Sequence, residues 1–113
     1  MSLRVVHTSE ALQDITLQAD YYAAKENVVL AERFIESLKR TVQMLSVHPL
    51  LGKLAGYRHP KLTGIRFFLV RRPFEQHLIF YRIHHEQLDI VRVLHGKRDL
   101  PRRIIEPPNA PGI

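Results

Sequence analysis

The chain has 113 residues, a formal net charge of +6 and no cysteine. A chain of that length has room for one compact core and no second domain. Without thiols it forms no disulfides and performs no cysteine chemistry, a usage that fits a cytoplasmic protein. Apolar content of 45% against 25% charged is that of a folded globular protein rather than a disordered one. No run approaches the ~18 apolar residues of a membrane span, and Met1-Ser2-Leu3-Arg4 opens without a signal-peptide pattern.

Charge divides unevenly along the chain. Residues 1–52 hold five Lys/Arg against six Asp/Glu, and residues 53–113 hold twelve against five. A basic half of this strength attracts polyanions or an acidic protein partner through long-range steering.

Leu3 to His7 is a short apolar run that reads as an outer strand. Thr8 and Ser9 supply a helix N-cap, with Glu10 near its positive end. Leu12, Ile15, Ala19, Tyr22 and Ala23 then recur at spacings of three and four, the stripe of an amphipathic helix from which Asp14, Gln18 and Lys25 stand off. Lys25-Glu26-Asn27 is a short connection, with Asn27 capping a second helix. That helix buries Ala31, Phe34, Ile35, Leu38, Val42 and Leu45 and turns Glu32, Arg33, Glu36, Lys39 and Arg40 to water; Pro49 disfavours its passage beyond His48. The pair forms an antiparallel helix hairpin. Residues 46–63 show neither period and read as a loop crossing to a sheet. Strands follow at Gly64 to Val70, Gln76 to Ile83 and Leu88 to Leu94, with a turn from Arg71 to Glu75 holding Pro73 and another at His84 to Gln87. In the middle strand Leu78, Phe80 and Arg82 share one face and Ile79, Tyr81 and Ile83 the other. Both faces are largely apolar, as in a central strand covered by helices on one side and partly sheltered on the other. The reading is therefore an α+β domain over residues 1–106: an N-terminal strand, an antiparallel helix hairpin, then a three-stranded antiparallel meander. Residues 107–113, Pro-Pro-Asn-Ala-Pro-Gly-Ile, read as a disordered tail.

Little in the chain points to conventional catalysis. Seven histidines invite a metal, yet no His-x3-His or His-Glu-x-x-His spacing exists and the adjacent His84 and His85 would face opposite ways on a strand. Neither a metal nor a cofactor is expected. Ser2, Ser9, Ser37 and Ser46 lie in no nucleophile-elbow context. A metal-free ribonuclease needs only Arg and Lys to hold phosphate and a Tyr, His or Lys to move protons. Arg66, Arg82, Arg92, Lys97, Arg98, Tyr81 and His95 all lie on or beside the expected sheet. Each has a plainer role beside that one. Arg82 and Arg92 can close the rim of the core with their alkyl stems, Tyr81 can be a packed aromatic with a satisfied hydroxyl, and His95 can simply end its strand.

The order of elements, together with His48-Pro49-Leu50-Leu51-Gly52, Arg71-Arg72-Pro73-Phe74, Ile79-Phe80-Tyr81-Arg82-Ile83 and Ile90-Val91-Arg92-Val93-Leu94-His95-Gly96-Lys97-Arg98-Asp99, resembles the RelE/ParE toxin superfamily of bacterial toxin–antitoxin pairs over roughly residues 3–105. The ParE branch is the nearer. RelE-like members are ribosome-dependent mRNA endonucleases using a strand arginine, an arginine of the Gly-Lys-Arg segment and a C-terminal tyrosine. Here Lys97 and Arg98 match, whereas Leu78 stands at the strand position and Ile104 at the tyrosine position. The resemblance then implies a ParE-like toxin that inhibits DNA gyrase and replication by protein–protein contact, without being an enzyme. It also implies neutralisation by an acidic ParD-like antitoxin in a hetero-oligomer, with Arg82, Arg92, Lys97 and Arg98 as the partner-binding cations. The alternative is a metal-independent endoribonuclease built on Arg98, Lys97, Tyr81 and His95. A second alternative is a non-catalytic nucleic-acid-binding domain, direct nucleic-acid contact being secondary in the main reading.

Overall fold

A computed structural model describes residues 2–108. Strand β1 (Arg4–His7) leads into helix α1 (Ser9–Lys25) and helix α2 (Val28–Val47). Thr8 Oγ1 accepts the Ala11 N–H at 3.0 Å and Asn27 Oδ1 accepts the Leu30 N–H at 2.8 Å, so each helix begins at a side-chain cap. Strands β2 (Lys53–Leu54), β3 (Arg66–Leu69), β4 (His77–His84) and β5 (Gln87–His95) and a short helix α3 (Leu100–Ile105) complete the chain. The sheet order is β1-β5-β4-β3-β2, antiparallel except for β1, which lies parallel to β5 at one edge.

The α+β fold and the meander agree with the sequence reading, and three details depart from it. The segment read as a loop contributes β2 and a 3-10 turn at Pro60–Leu62. Residues Leu100–Ile105 form α3, which the sequence reading left out. On α1, Leu12 is exposed while Asp14 and Gln18 are buried. Of the tail expected at 107–113, residues 109–113 lie outside the described residues.

The central strand is apolar on both faces because two cores flank it. On one side Ile79 and Tyr81 of β4 meet Phe34, Leu38, Val42 and Leu45 of α2 and Leu88, Ile90 and Val93 of β5. On the other, Leu78, Phe80 and Leu94 pack with Leu62, Ile65 and Ile104, so the crossing segment and α3 form the second cover. A register shift between Phe80 and Tyr81 opposite β5 moves the pairing from Phe80↔Arg92 to Tyr81↔Ile90. That bulge re-aims the end of β5, and the candidate site begins there.

Candidate functional site at the end of the sheet

Two connections meet at one end of the sheet. The first, residues 70–76, joins β3 to β4; the second, residues 95–99, joins β5 to α3. His77 pairs with His95 across the ladder, and the Gly96 N–H donates to the Gln76 carbonyl at 2.9 Å. Arg71 and Arg72 therefore stand on one connection and His95, Lys97 and Arg98 on the other, with β4 between them. Two strand spacings put the connections on the order of 10 Å apart. All five side chains are exposed. Arg72 lies 3.7 Å from Glu75 with its side chain 94% exposed. Among the described residues the Arg71, Lys97 and Arg98 side chains have no acceptor within hydrogen-bonding distance. Gly96 at φ +81° and Asp99 at φ +53° make the sharp turns that bring the second connection back over the sheet end.

That second connection is held in place. Arg103 on α3 donates to the carbonyls of His95 at 2.8 Å and Arg98 at 3.1 Å, closing the loop from behind. Helix α3 is anchored in turn by Arg92. The Arg92 Nη1 lies 2.6, 3.1 and 2.6 Å from the carbonyl oxygens of Arg103, Ile104 and Glu106. Its Nε and Nη2 donate to the two carboxylate oxygens of Asp14 at 2.7 and 2.8 Å, a bidentate pair whose side chains are 3% and 5% exposed. Asp14 Oδ2 also accepts the Val93 N–H at 3.1 Å. Strand β1 pairs with β5 only as far as Ile90, so the open edge beyond it must be satisfied by other groups. The Thr8 N–H takes the Ile90 carbonyl, Thr8 Oγ1–H takes the Val91 carbonyl at 2.7 Å, and Asp14 takes Val93.

Arg92, expected as a partner-binding cation at the rim, is thus corrected to a buried structural one. Every donor group of its guanidinium is engaged inside the molecule. The sequence signal was the acidic Asp14 on α1, whose place off the apolar stripe hid its burial. Arg82 is also occupied: its Nε donates to the Thr63 carbonyl at 3.1 Å and its Nη2 to the Lys61 carbonyl, stapling the crossing segment to β4. Of the four expected partner-binding cations, Lys97 and Arg98 keep their charges free at the surface.

Tyr81 is buried with its hydroxyl fully used. It donates to the Pro49 carbonyl at 2.7 Å and accepts the Gly52 N–H at 2.8 Å, while Arg66 Nη1 donates to the Gly52 carbonyl at 2.8 Å. Burial raises the Tyr81 pKa, against the opposing pull of the Gly52 hydrogen bond and the Arg66 charge. A hydroxyl so placed has no substrate-facing side, which corrects its candidacy for proton transfer. Leu78 and Ile104, at the two positions where the RelE branch would keep its Arg and Tyr, are both buried in the second core. His95 is exposed, its ring 4.9 Å from that of buried His77, whose Nε2 lies 2.6 Å from the Tyr22 hydroxyl. Burial foremost, then the neighbouring His95, lowers the His77 pKa to about 3, so His77 is neutral at any physiological pH.

An open cavity of about 190 Å³ lies between Thr8, Leu62, Val91 and Ile104. It falls short of the roughly 300–1,000 Å³ of small-molecule pockets. No cluster of three or more His, Asp or Glu that could hold a metal forms among the described residues. The exposed cations of the two connections can contact an anionic macromolecule.

Known structures share this fold. The chain resembles a chromosomal ParDE toxin–antitoxin system from P. aeruginosa with a TM-score of 0.69 at 17% identity, over 85% of this chain and 98% of that one. It also resembles the RelBE2 toxin–antitoxin complex from Mycobacterium tuberculosis with a TM-score of 0.53 at 26% identity, over 84% of this chain and 99% of that one. Among curated proteins no sequence matches. The family model for the ParE toxin of the type II toxin–antitoxin system parDE matches residues 5–100, and the chain belongs to that ParE toxin family.

Proposed function

We propose that this ParE-family toxin inhibits DNA gyrase, and so replication, by protein–protein contact, and that an acidic ParD-like antitoxin neutralises it in a hetero-oligomer. One observation carries the reading. Two of the three side chains with which a RelE-type endonuclease would act have no counterpart here, Leu78 and Ile104 being buried apolar residues, and the Tyr81 hydroxyl is held by Pro49 and Gly52. Of Tyr81 and His95, the two candidate proton-transfer groups, only His95 is exposed beside Lys97 and Arg98. Lys97 and Arg98, free on a fixed loop, are the residues proposed to meet the antitoxin's carboxylates, where charge complementarity chiefly speeds association.

The test is expression of the toxin alone in bacteria and addition of the purified toxin to gyrase. Growth arrest with filamentation and a DNA-damage response, while translation continues at first, is the expected phenotype, together with loss of supercoiling in vitro. Co-expression with the acidic protein of the neighbouring reading frame should restore growth. Rapid cleavage of ribosome-bound mRNA, abolished by Arg98→Ala or His95→Ala, would instead establish the nuclease, with exposed His95 beside the cations as its proton-transfer group.

A further inference from the structure

The two connections at the end of the sheet carry charge without apolar anchors. Residues 70–76 and 95–99 expose Arg71, Arg72, His95, Lys97 and Arg98 but no large apolar side chain. Leu50, Leu51 and Leu54 gather elsewhere beside Val47, while Leu69, 40% exposed, ends β3 at the border of the first connection. A surface that binds a protein segment tightly needs buried apolar or aromatic anchors, and the two connections themselves supply none. Nor does it offer a stacking platform. No Tyr or Phe of the chain is exposed, Phe74 between the two arginines and β4 being only 3% exposed. Recognition of single strands relies on aromatic faces.

An array of exposed cations with neither anchors nor stacking groups matches what positions a protein on a duplex phosphate backbone. The loop that carries two of them is pre-set. Arg103 locks the Lys97–Arg98 loop through two carbonyls, and Gly96 ties that loop to Gln76 beside the arginine turn. A loop held in place beforehand loses less backbone freedom on binding. The two acidic neighbours are themselves engaged: Glu75 lies 3.7 Å from Arg72 and Asp99 lies 3.3 Å from Arg102.

We infer that Arg71 and Arg72 on one connection, with Lys97 and Arg98 on the other, form a binding site for the phosphate backbone of duplex DNA. The biological setting rests on the gyrase reading: a toxin seated on the enzyme would also hold the DNA the enzyme carries. An antitoxin's acidic segment over Lys97 and Arg98 would deny the DNA those cations.

The experiment is fluorescence anisotropy with the full-length chain and a labelled 20-base-pair duplex of mixed sequence, over a salt series. Expected is sequence-independent binding with a dissociation constant of roughly 10⁻⁴–10⁻⁶ M, and a slope of log affinity against log salt of about −3 for three to four phosphates. Arg71→Glu with Arg72→Glu should weaken binding at least tenfold and reduce the slope by about 2. Lys53→Glu with Arg58→Glu changes net charge equally at exposed positions elsewhere and should leave the slope intact. Urea midpoints of the variants verify folding. Three results would each overturn the inference: equal losses in both pairs, tighter binding to a single-stranded RNA of the same length, or equal Arg71/Arg72-dependent affinity for poly-glutamate. Gyrase assays run in parallel keep the two readings apart. Inhibition of supercoiling without DNA binding removes this inference and leaves the proposed function; DNA binding without inhibition does the reverse.

Discussion

Replacing Asp14 with alanine should be among the most damaging single changes in the molecule outside the apolar cores. The carboxylate meets Arg92 bidentately at 2.7 and 2.8 Å and accepts the Val93 N–H at 3.1 Å, with side-chain exposure of 5%. Removing one partner of a buried ion pair costs about 3–5 kcal/mol because the other charge stays buried and unpaired. The stranded Val93 N–H adds about 1–3 kcal/mol in principle. Three carbonyls continue to solvate the guanidinium, so the contributions do not sum in full, and about 4 kcal/mol is expected. Against a total stability of roughly 5–15 kcal/mol for a domain this size, that places Asp14→Ala near the edge of folding.

The paired replacement makes the argument specific. Asp14→Leu with Arg92→Met removes both charges together, and apolar substitutes for a buried pair are often close to neutral. The double variant should therefore be more stable than Asp14→Ala, although α3 loses its anchor. Urea unfolding of Asp14→Leu, of Arg92→Met and of the double gives the coupling energy, expected at about 3 kcal/mol. Hydrogen exchange of the Arg103 and Glu106 amides reports on α3 separately and should speed up in every Arg92 variant. Additive effects, or an Asp14→Ala loss below about 1 kcal/mol, would refute the clamp.

Three further outcomes follow from the same geometry. Tyr81→Phe should lose about 1–3 kcal/mol by unfolding, since it strands the buried Gly52 N–H and Pro49 carbonyl, yet arrest growth as the parent does wherever it folds; a specific loss of toxicity with stability intact would reopen a chemical role. Because unfolded His77 takes up a proton near pH 6.5 and folded His77 only near pH 3, each pH unit lost between those values removes stability. From pH 7 to pH 5 the fall should be about 2 kcal/mol, and His77→Gln, which keeps an acceptor for Tyr22, should flatten that part of the curve in chemical denaturation. Lys97→Glu with Arg98→Glu should slow association with the antitoxin and weaken its salt dependence while changing dissociation little; unchanged rates in a surface-binding measurement would take both residues out of that interface.

Most of the fold was legible because it rests on local signals that burial reinforces. The caps at Thr8 and Asn27, the stripe on α2 and the alternation in β4 each matched what packing required of them. The failures share a cause. Strand β2 is two residues long and is set by its pairing with β3 and by Tyr81 of β4 and Arg66 of β3, which hold Gly52 just before it, so nothing within Lys53–Leu54 announces it. Helix α3 spans six residues and includes Pro101, too short for an apolar period to show. Its place comes from Arg92 through three carbonyl contacts.

The misreading of Arg92 shows why charge counting reaches only part of a site. The sequence places twelve Lys and Arg in residues 53–113 but gives no sign of which ones face water. Arg82 and Arg92 alternate along strands, as Lys97 and Arg98 do not, and a strand cation inside the sheet must find acceptors or stay unpaired at a large cost. Both found backbone carbonyls, and Arg92 found a carboxylate as well. Lys97 and Arg98, beyond the end of β5, stay exposed. Yet the buried arginine still serves the exposed ones: Arg92 fixes α3, Arg103 on α3 fixes the loop, and that loop presents Lys97 and Arg98. An electrostatic surface that depends on a buried ion pair in this way can be weakened from inside, by a substitution at Asp14 that touches no partner.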